Sequence, residues 1–104
     1  MQNIQVIVDS CSTFEMVDQL IEECAELIQA CSKFKRAYKG TTPVTPMEAR
    51  KMLIEELGDV AVASAVVFYG VLTPVEREEE LDVERDKLVR WKDRIQKKAV
   101  NENG

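Results

Sequence analysis

The chain has 104 residues, is 45% hydrophobic and 32% charged, and carries a net charge of −5. That composition suits one compact domain and not a disordered or membrane protein. The acidic balance also lacks the basic excess by which proteins displace counterions from a phosphate backbone, so nucleic acid is not an expected partner.

Residues 1–10, MQNIQVIVDS, have no positive n-region and only a short, interrupted apolar run. They do not read as a secretory signal, and a cytoplasmic protein is expected. Their pattern fits a short strand or an extended arm, so they are set apart as an N-terminal arm.

Ser12-Thr13-Phe14-Glu15 has the form of a capping box, in which the serine hydroxyl and the glutamate carboxylate each satisfy a free amide of the first helical turn. Apolar residues then recur at three- and four-residue steps, through Phe14, Val17, Leu20, Ile21, Cys24, Leu27, Ile28 and Cys31. Gly40 supplies a stop, and the spacing predicts a helix over 13–38. Residues 41–45, TTPVT, form the clear loop.

Thr45-Pro46-Met47-Glu48 writes a second start, with proline at the first helical position where its missing N–H is harmless. This second helix is predicted over 46–72. Its half from Val60 to Leu72, VAVASAVVFYGVL, is apolar on every side yet too short to cross a bilayer. Such a segment needs cover on all sides, which three helices of one subunit do not provide.

Thr73-Pro74-Val75-Glu76 is a third start, and the helix after it should run to about residue 98, leaving 99–104 as a frayed tail. Its apolar residues Leu81, Leu88, Trp91 and Ile95 make one narrow stripe on a charged rod. The expected fold is therefore all-α, an antiparallel bundle of three main helices over residues 11–98. A homo-oligomer, a tetramer built as a dimer of dimers, would complete it.

Cys11, Cys24 and Cys31 form no even disulfide set, and a seven-residue helical step holds Cys24 and Cys31 roughly 10 Å apart. With no histidine in the chain and no Cys-x-x-Cys, they read as small core residues and not as a zinc site. The cations Lys33, Lys35, Arg36 and Lys39 near the end of the first predicted helix complement its dipole, with a role in holding substrate as the alternative.

The carboxylates carry more information. Glu23 and Glu26 lie three residues apart and share one helix face, as do Glu56 and Asp59 on the next helix. Glu56 and Asp59 occupy the sector that also holds Met52, Ala63, Val66 and Val67, so they point toward apolar packing. No lysine or arginine stands one turn from Glu23 or Glu26 to pair with them. If the helices run antiparallel, four carboxylates converge and repel unless a cation sits among them. An all-oxygen donor set favours Mg²⁺, with Mn²⁺ a substitute, and Mg²⁺ commonly shares its shell with substrate phosphates.

The two strings, Glu22-Glu23-x-x-Glu26 and Glu55-Glu56-Leu-Gly-Asp59, each on its own helix, resemble the signature of the MazG-like, all-α nucleoside-triphosphate pyrophosphatases. The resemblance covers about residues 12–95. It implies Mg²⁺-dependent hydrolysis of a (d)NTP to the monophosphate and pyrophosphate, with nucleotide-pool house-cleaning as the role. It further implies that Glu23, Glu26, Glu56 and Asp59 are the metal ligands. Lys87-Leu88-Val89-Arg90 looks like the family's basic segment on the last helix, which assigns Lys87 and Arg90 to phosphate binding.

Glu22 or Glu55 is the candidate base for the attacking water. Phosphoribosyl-ATP pyrophosphatase is similar in fold and motif and is the alternative enzyme. A non-catalytic helical oligomer that binds ions through its acids is the alternative outside enzymes.

Overall fold

The structure is a computed structural model that describes residues 2–103, with side chains described for residues 3–102. It is all-helical, with four helices in the order α1 (Gln2–Ser10), α2 (Thr13–Lys39), α3 (Pro46–Gly70) and α4 (Pro74–Asn103). No strand occurs among the described residues. None of these helices is long and apolar enough to cross a membrane. The chain divides into two compact units, residues 1–71 and residues 72–104.

The first unit is built on α2 and α3. At the start of α2 the Glu15 amide donates to Ser12 Oγ at 3.1 Å and the Ser12 amide donates to Glu15 Oε1 at 2.9 Å. Thr45 and Glu48 repeat this arrangement at the start of α3, with Pro46 in the first turn. Gly40 ends α2 in the left-handed conformation, at φ 71°, where a side chain would be strained. Its amide and that of Thr41 donate to the carbonyls of Ala37 and Arg36.

The two helices run antiparallel, as their cross-contacts show. Near the turn Arg50 donates to Tyr38 Oη at 3.3 Å and its guanidinium lies 5.9 Å from the centre of the Phe34 ring. At the far end Gly70 stands beside Met16. Ala30 and Ala37 of α2 and Ala49, Ala63 and Val66 of α3 are buried between them. Small side chains at these positions let the helix axes come close, since interaxial distance follows the residues at the contact.

Residues 2–10 are helical, which corrects the reading of residues 1–10 as a strand or extended arm; Met1 lies outside the described residues. The alternation Ile4, Val6, Val8 suits a strand, but a strand needs a partner for its amides and carbonyls, and none is present among the described residues. In the helix, Ile4 and Val8 fall one turn apart and are half-buried, and α1 packs on α3. The described residues therefore form four helices where three main ones were expected. Close approach is again the means: a Cβ placed on Gly70 would collide with Met16 of α2 and come within 3.0 Å of Val8 of α1.

The apolar face of α2 is wider than the contact with α3 can cover. Met16, Ala30 and Ala37 are buried, whereas Phe14, Ile21 and Ile28 are 82, 62 and 71% exposed. These three, with Val17, Cys24 and Cys31, recur at alternating three- and four-residue steps, the seam spacing of a coiled coil. Cys24 and Cys31 are exposed on this seam and Cys11 is half-buried, all as free thiols. That corrects their assignment to the core: the periodicity placed them on an apolar face, but on the one turned away from α3.

In the second unit, Thr73 and Glu76 form the third capping pair, at 3.2 and 2.9 Å. α4 then continues to Asn103 without a break; Gly104 lies outside the described residues. Nothing in Lys97–Asn103 breaks a helix, and Lys98 pairs with Glu102 one turn on, at 3.9 Å. Leu81, Leu88, Trp91 and Ile95 lie along α4 and are exposed.

Candidate metal centre

Glu23 and Glu26 project from one face of α2, and Glu56 and Asp59 from the facing side of α3. Each of the four offers one carboxylate oxygen, and these atoms all lie within 4.8 Å of one another. The antiparallel pairing achieves this because the three-residue step on each helix places both acids about 60° apart and one turn along.

Glu23 and Glu56 are half-buried, and Glu26 and Asp59 are exposed. Gln19 donates to Glu23 Oε1 at 2.7 Å, but Glu23 Oε2 and Glu56 Oε2 are buried without a hydrogen-bond partner. Loss of water pushes the Glu23 carboxyl above the usual glutamate range, and the charges of Glu26 and Asp59 push it further. The Glu56 carboxyl is raised for the same reasons in the same order, with a side-chain contact to Glu26 adding to it. Four acids held together with two orphaned oxygens are an unfavourable arrangement for bare carboxylates, and a divalent cation relieves both the repulsion and the lost solvation. The donor set is all oxygen and suits Mg²⁺ or Mn²⁺.

Two hollows border the cluster. One, of about 350 Å³, is walled mainly by apolar side chains of α1, α2 and α3, including Ile7, Met16, Val62 and Val66, and reaches Glu23 and Asp59. The other, of about 280 Å³, lies between α2 and α3 and reaches Glu26 and Glu56. Lys33 lines this second hollow. The helix dipole accounts equally well for Lys33, Lys35, Arg36 and Lys39, so the sequence did not single it out. The available signal was its seven-residue distance from Glu26, two turns along the same face.

Glu22 and Glu55 are exposed and stand outside the group of four, each as the chain neighbour of one of its members. Lys87 and Arg90 belong to α4 in the second unit, where both are exposed. There Lys87 borders a shallow hollow with Glu84, Arg85, Leu88 and Trp91. On the same helix the Glu84 carboxylate one turn away, together with loss of water, raises the Glu80 carboxyl.

No family model, curated protein or solved structure matches this chain. The cluster is therefore described by its own geometry and by the two sequence strings that supply its carboxylates.

Proposed function

We propose that this chain is a Mg²⁺-dependent nucleoside-triphosphate pyrophosphohydrolase, cleaving a (d)NTP to the monophosphate and pyrophosphate. The observation that carries the reading is the meeting of Glu23, Glu26, Glu56 and Asp59 from two antiparallel helices, with one oxygen of each inside a 4.8 Å group and two orphaned oxygens beside it. Mg²⁺ held there would neutralise the phosphate chain and activate a water toward the anhydride.

The chain's own residues supply the rest. Glu22 and Glu55, exposed beside the ligands, are the candidates to accept the proton of the attacking water. The apolar hollow next to Glu23 and Asp59 has a volume of the order that small-molecule sites occupy, about 300–1,000 Å³, and gives a nucleoside apolar walls to pack on. Lys87 and Arg90 are proposed phosphate contacts through the resemblance alone. The exposed seam of α2 favours a homo-oligomer, read here as a dimer of dimers.

The test is a panel of canonical and damaged (d)NTPs and phosphoribosyl-ATP in Mg²⁺, with separate detection of monophosphate and pyrophosphate and a parallel titration of Mn²⁺ binding. Stoichiometric release of both supports the proposal. Release only from phosphoribosyl-ATP identifies the alternative enzyme. Mn²⁺ binding with no turnover on any substrate assigns the acids to ion binding in a non-catalytic oligomer.

A further inference from the structure

The inference drawn here rests on that nucleotide reading and concerns the far end of the phosphate chain. The hollow between α2 and α3 is lined by Glu26, Gln29, Ala30, Lys33, Met52 and Glu56. Lys33 is the one cation among these residues. It is half-buried, whereas its basic neighbours Lys35, Arg36 and Lys39 are exposed. Among the described residues no ion pair joins Lys33 to a carboxylate, although four carboxylates gather two turns away along its own helix.

The direction of the side chain matters. In an α-helix the Cα–Cβ bond tilts toward the N-terminus, so the stem of Lys33 leans back over Gln29 toward Glu26. A rise of 1.5 Å per residue puts the two Cα atoms roughly 10 Å apart along the axis. The hollow thus has acids at one end and an unpaired ammonium at the other. A cation on the acids and an anion reaching from it to Lys33 would satisfy both ends together.

The cluster also separates two unlike spaces. Glu23 and Asp59 border the apolar hollow, and Glu26 and Glu56 border the one that holds Lys33. A nucleoside packs on apolar walls, so the distal phosphates of the same molecule fall on the opposite side of the acids. We propose that Lys33 is a binding residue for the terminal phosphates of the substrate, the portion that leaves as pyrophosphate.

The experiment is calorimetric titration of inorganic pyrophosphate in Mg²⁺ into the full chain, with Mn²⁺ binding followed separately by electron paramagnetic resonance. The variants are Lys33→Met, which keeps the aliphatic stem and removes the charge, Lys33→Arg, which keeps the charge, and Lys35→Ala as the exposed control. The expected result is pyrophosphate binding weakened at least about tenfold in Lys33→Met, the scale of one charged hydrogen bond. It should stay within a few-fold in Lys33→Arg, remain unchanged in Lys35→Ala, and Mn²⁺ binding should be equal in all.

Pyrophosphate binding by Lys33→Met as tight as wild type overturns the inference and leaves the nucleotide reading standing. Loss of Mn²⁺ binding together with pyrophosphate in Lys33→Met also overturns it, since Lys33 would then act on the acids. A wild-type chain that binds neither Mn²⁺ nor pyrophosphate removes the nucleotide reading itself and the inference with it.

Discussion

Glu23 on α2 and Glu56 on α3 meet in one carboxylate group, and each has a buried Oε2 atom that no donor reaches. The relationship has a thermodynamic sign. Both carboxyls are raised above the usual glutamate range, first by loss of water and then by neighbouring negative charges. In the fold they keep their protons to higher pH than in the unfolded chain. Between the ordinary and raised values the native state binds more protons, so their contribution to stability falls as pH rises through that window and stays low above it.

Glu56→Gln should therefore raise the melting temperature of the metal-free protein at neutral pH. The gain should shrink as pH falls through the raised range, where wild-type Glu56 takes up its proton. Mg²⁺ should stabilise the wild type and do so less in the variant. Thermal melts at several pH values, with and without Mg²⁺, check this, and a gain independent of pH would contradict it.

Catalysis should move in the opposite direction. Glu56→Gln or Asp59→Asn is expected to lower Mg²⁺-dependent turnover by at least about 10²-fold, the scale lost when one charge-stabilising group leaves an active site. Circular dichroism should show the helices intact. EDTA should stop hydrolysis, and Mg²⁺ or Mn²⁺ should restore it. Ca²⁺ should restore little, since its looser coordination positions a phosphate less well. Turnover near wild type in both variants would remove the metal-centre reading.

Gly70→Ala tests the docking of α1. The added methyl meets Met16, which is buried, and Val8. Overpacking of this kind costs roughly 1–3 kcal/mol. Denaturant titration should show a loss of that size. Hydrogen exchange should show α1 opening more readily than α2. A neutral substitution would mean that the flexible end of Met16 gives way to the methyl and that the packing around Gly70 is not tight.

The exposed seam of α2 predicts assembly. Single exposed apolar residues are ordinary, but Phe14, Ile21 and Ile28 form a row, and a row of this kind marks an interface. Ile28→Glu should dissociate the oligomer in light scattering and leave the helical content unchanged, because Ile28 is 71% exposed in the single chain. A wild-type monomer at low micromolar concentration would refute the oligomer and leave the carboxylate centre intact.

The parts of this structure legible in the sequence are those written locally. The pairs Ser12/Glu15, Thr45/Glu48 and Thr73/Glu76 specify helix starts within four residues, so no distant contact was needed to read them. The four acids were legible because a three-residue step fixes a shared face on any helix. α1 was not, since Ile4, Val6 and Val8 suit a strand as well as a helix face, and packing on α3 decides between them. Cys24 and Cys31 show the same limit: periodicity finds an apolar stripe but does not tell which stripe meets α3. Lys33 was visible as a charge, and only its burial beside Glu26 and Glu56 separates it from Lys35 and Lys39.

The turn from Gly40 to Thr45 has a kinetic consequence. It joins two long helices that are near neighbours in sequence, so Glu26 and Glu56 meet by closing one hairpin, with no remote segment to find first. Folds rich in such short-range closures form quickly. The four carboxylates can thus be brought together on each newly made chain before any second copy is met, and a divalent cation bound among them would hold the hairpin's two arms together.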